Sequence, residues 1–150
     1  MTILYELRNN IEERIHCVPT LQLTKDNFEA TIADNETVLI DFWASWCGPC
    51  RMFGPIFEKA SEEHPDLVFA KVDTEAQQEL ATAFGISSIP TLMVFRDRTL
   101  LYSEPGALPE PVLADLIGQV RALDMDEVRR SIAAHEATHE GHGQEGHAHR

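Results

Sequence analysis

Two thiols three residues apart, in Trp46-Cys47-Gly48-Pro49-Cys50, are the side chains of this sequence best equipped for chemistry. Such a pair alternates between dithiol and disulfide and so exchanges two electrons with another sulfur couple. The same spacing also serves as half of a zinc site. A four-ligand site needs a second pair, however. The one further cysteine is Cys17, and no histidine pair stands at zinc-finger spacing from it. The pair therefore reads as a redox couple.

The flanking residues say how the thiols are held. Val38-Leu39-Ile40-Asp41-Phe42-Trp43-Ala44 is a nearly continuous apolar run with one carboxylate inside it, the pattern of a strand covered on both faces. From Cys50 to Glu63 the apolar residues Met52, Phe53, Ile56, Phe57 and Ala60 recur at helical spacing. Cys47 is thus expected at a helix start, with Cys50 in its first turn. Helical neighbours at i and i+3 have β-carbons about 5–6 Å apart, and a disulfide wants about 3.5–4.5 Å, so a small adjustment closes the bond. Pro49 is tolerated in a first turn, whose amides have no intrahelical acceptor. The positive end of the helix dipole favours a thiolate, most strongly at Cys47. By position Cys47 is the nucleophile, accessible and ionised near neutrality, and Cys50 the shielded resolving thiol. Asp41 is expected to be buried with a raised pKa, suited to proton transfer near neutral pH. The alternative, a solvated sheet edge, fits poorly with so apolar a strand.

The rest of the chain supplies alternating strands and helices. Leu21-Gln22-Leu23 reads as a short strand, and Thr24 as the cap of a helix over Asp26 to Ala33. Pro65 ends the helix that carries the thiols, and Val68 to Val72 forms the next strand. Thr74 with Gln77 suggests a capping box for a helix reaching Phe84. Thr91–Phe95 and Thr99–Ser103 read as an antiparallel pair. A helix follows from Pro109 and Pro111 to about Leu123. The pattern predicts an α/β fold, a central mixed sheet flanked by helices on both faces. We divide the chain into an extension (1–17) with one helical stretch around Ile3 to Ile15, a domain (18–123), a further helix (124–137) and a His/Gly-rich tail (138–150) expected to be disordered.

Four blocks, in order, resemble the thioredoxin family over about Thr20 to Leu123. They are Val38 to Cys50, Val68 to Asp73, Phe84 to Thr91, and Pro105-Gly106-Ala107-Leu108. The resemblance implies the thioredoxin fold and a protein-disulfide reductase without a cofactor. In it Cys47 attacks a substrate disulfide and Cys50 resolves the mixed disulfide. Asp41 takes the resolving thiol's proton, and Lys71 pairs with Asp41. Trp46, Gly48, Pro49, Ile89, Pro90, Thr91, Gly106 and Ala107 form the surface that receives substrate, with Pro90 in the cis form. Clients would be disulfide-containing proteins, and the electron donor a thioredoxin reductase. Three positions depart from the family pattern. Arg51 stands for a lysine and Ser88 for a glycine. Asp97-Arg98 replaces an Asn-Gly or Asp-Gly turn, so the hairpin is expected to use another turn type, because arginine disfavours positive φ.

Composition limits the setting. A net charge of −13 argues against nucleic acid and anionic membrane as partners. Most of that charge lies in residues 18–123, which suits a docking partner with a basic rim. No apolar run approaches a membrane span, and Met1 to Val18 lacks a sustained apolar segment, so no secretory signal is expected. The expected setting is cytoplasmic and reducing, with a monomeric protein. His135, His139, His142, His147 and His149 lie within a stretch of fifteen residues near the C-terminus. His135 and His139, at i, i+4 spacing, are the weak candidates for a metal. Two other readings are an oxidant or isomerase in a secreted setting, and a metal-binding or scaffold module built on the histidine-rich tail.

Overall fold

The computed structural model describes residues 20–140; Cys17, the N-terminal stretch Ile3–Ile15 and the tail beyond Glu140 lie outside the described residues. In chain order the elements are β1 (Leu21–Gln22), α1 (Phe28–Asp34), β2 (Thr37–Trp43), α2 (Gly48–Glu63), β3 (Val68–Asp73), α3 (Gln78–Ala83), β4 (Thr91–Arg96), β5 (Thr99–Pro105), α4 (Glu110–Ala122) and α5 (Met125–Glu140). The five strands form one mixed sheet in the order β1-β3-β2-β4-β5. β2 runs parallel to β3 on one side and antiparallel to β4 on the other.

The central position of β2 explains its composition. Its odd and even side chains point to opposite faces, and helices cover both. Val38, Ile40 and Phe42 join Ala70, Val72, Met93 and Phe95 beneath Phe28 and Ile32 of α1 and Leu80 of α3. On the other face Leu39, Phe69, Leu92 and Val94 pack against Phe53, Phe57 and Ala60 of α2 and Leu113, Ile117 and Val120 of α4. Asp41 shares the second face with Leu39, and so lies under α2.

Local expectations fail at three places, each for a physical reason. The helix after β1 starts at Phe28, with Asn27 before it. Thr24 does not cap it; its amide donates to the Asn27 side chain at 2.7 Å, and its carbonyl receives the Asn27 and Phe28 amides. The Thr74–Gln77 capping box does not form either. The Thr74 hydroxyl donates to the Trp43 carbonyl (3.0 Å), tying the end of β3 to the end of β2, while the Asp73 carboxylate receives the amides of Glu75 and Ala76. The third is the β4–β5 turn, expected to avoid positive φ. It is a two-residue turn with Asp97 at φ 49° and Arg98 at φ 63°, as in the primed hairpin turns. Strand twist demands that geometry whatever residues occupy it, and the long antiparallel pairing of β4 with β5 enforces it.

That turn lies at the end of the sheet away from the two thiols, and α4 and α5 are fastened there. The Arg96 guanidinium donates to the carbonyls of Val120 (2.8 Å) and Leu123 (2.9 Å), groups that the end of α4 leaves without helical partners. The Asp124 carboxylate receives the Asp126 and Glu127 amides at the start of α5. Met125 is buried, and Arg129 lies 3.6 Å from the Asp97 carboxylate. Residues 131–139 of α5 are exposed.

A left-handed conformation costs a residue with a β-carbon roughly 1–2 kcal/mol, offset in part by the larger unfolded-state entropy of glycine. Arg98→Gly should therefore raise unfolding stability by up to about 1 kcal/mol, and Arg98→Val should lower it. Urea denaturation of the three proteins gives the order.

Candidate active site

Cys47 leaves the sheet in an extended conformation (φ −83°, ψ 114°) and caps α2, its sulfur accepting the Cys50 amide at 3.2 Å. Gly48 and Pro49 form the first turn, where proline sacrifices no intrahelical bond. Cys47 and Cys50 are joined as a disulfide, with Cα atoms 5.3 Å apart. The helix start thus brings the sulfurs together as the spacing implies. The expectation of an open Cys47 and a covered Cys50 belongs to the dithiol form. In the disulfide form both residues are almost closed, at 4% and 5% exposure. Ala44, Trp43 and Ile89 pack around the pair, and the Ile89 carbonyl oxygen sits 3.6 Å from the Cys47 sulfur.

Three chain segments meet at this edge. Trp46 is 64% exposed, and its indole N–H donates to the Glu75 carboxylate at 2.6 Å. The Ile89–Pro90 peptide bond is cis. The Pro90 carbonyl receives the Gly106 amide (2.8 Å), and Gly106 sits at φ 118°, a conformation that suits glycine. Thr91 is buried, and its hydroxyl donates to the Ser88 carbonyl at 2.5 Å. Ala107, beside Gly106, is half-buried and packs against the core cluster that α2 and α4 share with the sheet.

Behind the disulfide lies Asp41, wholly buried, its two carboxylate oxygens without a hydrogen-bond partner among the described residues. Burial pushes its pKa up to about 7; the Lys71 ammonium pulls it down and Glu58 pushes it up, both by less. Lys71 is the ladder partner of Asp41 across the parallel β2–β3 pair, so both side chains leave the same face. The expected Asp41–Lys71 pair nonetheless does not form as a contact. The ammonium reaches past Asp41 to Glu58, 3.5 Å away, and lies 5.3 Å from the Trp43 ring centroid. The reason is solvation: Glu58 is more than half exposed, and an ammonium near water loses less hydration than one drawn into the closed site. Glu58 escaped the sequence reading, though a signal was there. Cys50, Gly54 and Glu58 recur every four residues, along one face of α2. Glu75 has no such signal, since only the fold brings it to Trp46. His135 and His139 stand apart from this group on α5.

With this geometry in view, the comparisons agree. The Thioredoxin family model matches residues 18–119. The chain belongs to the thioredoxin family. It is 65% identical over 118 residues to the "Putative thioredoxin 2" of Streptomyces coelicolor, covering 79% of this chain and 88% of that protein. It is 42% identical over 103 residues to the thioredoxin of Alicyclobacillus acidocaldarius, covering 65% of this chain and 98% of that one. Among solved structures, a single-substitution mutant of the thioredoxin from Halobacterium salinarum aligns with a TM-score of 0.65 at 36% identity, over 71% of this chain and 94% of that one. Family and cysteine pair together make this thioredoxin-family chain a thiol–disulfide oxidoreductase of proteins, as the sequence reading has it. The scaffold reading is not favoured. No helix among the described residues is long and apolar enough to cross a membrane.

The raised Asp41 pKa fixes a sign. Unfolded, the carboxyl titrates near 4; folded, near 7. Below about pH 4 both states hold the proton and the group contributes nothing to the balance. Between those values only the folded state holds it, so stability falls as pH rises, and above pH 7 the loss is complete. Asp41→Asn should thus be more stable than the parent above pH 7, by about 4 kcal/mol, with the difference vanishing toward pH 4. Denaturant unfolding of both proteins across that range measures it.

Proposed function

We propose that this chain works in the reducing direction, as a general reductase of protein disulfides in the cytoplasm, and is itself reduced by a thioredoxin reductase. The observation that supports it most is the placement of the Cys47–Cys50 bond at the start of α2 with the buried Asp41, unpartnered among the described residues, behind it. A couple that starts reduced needs an ionised outer sulfur and an acceptor for the inner proton, and these residues match both needs.

In the first step the Cys47 thiolate attacks one sulfur of a client disulfide. A bond forms between the two sulfurs, the client's own S–S bond breaks, and its second sulfur leaves as a thiolate that takes a proton from water. In the second step the Cys50 thiol gives up its proton, with Asp41 as the ultimate acceptor, and attacks the Cys47 sulfur. The mixed disulfide breaks, the client's sulfur leaves as a thiolate that takes a proton from water, and Cys47–Cys50 closes as the disulfide. Two electrons pass from the pair to the client. A carboxyl with a pKa near 7 is matched to that transfer at neutral pH. Lys71, held by Glu58, keeps positive charge on the rim of the site and limits how far the Asp41 pKa rises.

Clients dock along the edge made by Trp46, Gly48, Pro49, Ile89, Pro90, Thr91, Gly106 and Ala107. Trp46 offers an exposed ring fixed by Glu75, which suits contact at low entropic cost. The tight packing about both sulfurs restricts attack to an extended, well-aligned client segment. The negative charge of the chain favours clients and a donor with basic rims.

Insulin reduction, driven by NADPH and a thioredoxin reductase, tests the proposal. Cys47→Ser should drop to background, and full turnover in that variant would make the assigned nucleophile wrong. Cys50→Ser should instead accumulate a mixed disulfide with the client through Cys47, visible by mass spectrometry. Asp41→Asn should slow resolution of the mixed disulfide about 100-fold at neutral pH, with first attack much less affected. Single-turnover kinetics separate the two steps.

A further inference from the structure

On α5, beyond the portion that docks on the domain, two imidazoles face each other in a way the disulfide chemistry does not use. His135 and His139 are one helical turn apart and exposed. Their rings meet edge to face, with centroids 4.7 Å apart and an interplanar angle of 81°. The two Nε2 atoms lie 3.2 Å from each other. In one tautomer the Nε2–H of one ring faces the lone pair of the other; with each ring's proton on Nδ1 instead, both Nε2 atoms present a lone pair to the space between them.

We infer that His135 and His139 together chelate one late first-row divalent cation of the zinc, nickel and copper group. A metal about 2.0–2.1 Å from each nitrogen, as in zinc–imidazole bonds, would see the two at an angle of about 100°, given their 3.2 Å separation. That angle lies between those of tetrahedral and octahedral coordination, so both nitrogens serve one ion with little movement. Imidazole is a preferred ligand of this group of metals. The helix fixes the spacing in advance, and an ion on both Nε2 atoms requires only that each neutral ring carry its proton on Nδ1. The surroundings favour a cation, since Glu136 adjoins His135 and the chain carries a net charge of −13. Among the described residues no group of three or more His, Cys, Asp or Glu side chains converges on one point. The pair is thus the whole protein site there, and water completes the coordination shell. His142, His147 and His149 follow in the sequence and lie outside the described residues. The site needs none of them.

The root of α5 sits at the β4–β5 turn, at the sheet end opposite the disulfide. β2 joins those two ends over seven residues, a span of roughly 20 Å at strand rise. Metal binding is therefore read independently of the sulfur chemistry. Titration calorimetry with zinc chloride, slightly above neutral pH, uses the full chain in its oxidised form. The Cys17→Ser background removes the remaining thiol. One equivalent should bind. His135→Ala and His139→Ala should each weaken it by about tenfold or more, and the double variant should be no weaker than either single one, because a two-toothed grip is lost with either tooth. A triple His142→Ala, His147→Ala, His149→Ala variant should keep the equivalent. These substitutions fall on exposed helix or outside the domain, and far-ultraviolet circular dichroism checks that the fold persists. Three results would each overturn the site: no zinc heat from the parent, less than a tenfold loss in either single variant, or loss of binding in the triple variant.

Discussion

The structure depends on β2 being immobilised from four directions. It is hydrogen-bonded to β3 on one edge and to β4 on the other, and helices cover both of its faces. A strand held this way has no freedom at its C-terminal end, and the chain leaves that end directly into the turn that starts α2. Cys47 inherits its position from β2, and Cys50 inherits its own from the helix. The sulfurs meet because a strand end and a helix start are fixed relative to each other by the apolar contacts of Phe53 and Phe57 with Leu39, Phe69 and Leu92. Reversible bond formation needs such a frame, since two mobile thiols would pay the entropy of meeting at every cycle.

The same frame explains why a carboxylate can sit in the core. Asp41 occupies a position that an apolar residue would fill at a gain in stability, and both its oxygens lack partners among the described residues. Burial makes the charged form costly, and the group answers by holding its proton up to about neutral pH. Lys71 is near enough to temper this shift but is anchored elsewhere, on Glu58 at the rim. The arrangement is a stability cost concentrated next to the reacting sulfurs, where a group that gains and loses a proton near neutrality has a use. The two ends of the sheet thus differ in character. At one end three segments converge with Ile89 and Trp46 beside the disulfide. At the other, Arg96 and Asp97 hold helix ends, and α5 departs from there.

Apolar patterning made the core elements legible. Val38 to Ala44 could only be a strand covered twice, and Phe53 to Ala60 only a helix with one buried face, because the two periods leave no other way to hide those residues; Met52, part of the same apolar pattern, is exposed. The signals that misled were short and polar. Thr24 and Thr74 resemble caps in one dimension, but a hydroxyl takes whichever acceptor the fold brings nearest, and Trp43 reached Thr74 from another strand. Asp97-Arg98 looked unfit for a tight hairpin, yet the pairing of β4 with β5 outweighed a local preference of about 1 kcal/mol per residue. Glu75 on Trp46 had no linear signature at all.

By itself the sequence determined the chemistry: which atoms exchange electrons, the helix that carries them, and the carboxylate placed in an apolar strand. Those follow from covalent spacing and side-chain period, which are properties of the chain alone. Only the tertiary structure decided how closed the sulfurs are, which carboxylate holds Lys71, and where the Ile89–Pro90 and Gly106 segments sit around the pair. Each of these joins residues far apart in the chain, and the outcome rests on a competition between solvation and packing in three dimensions.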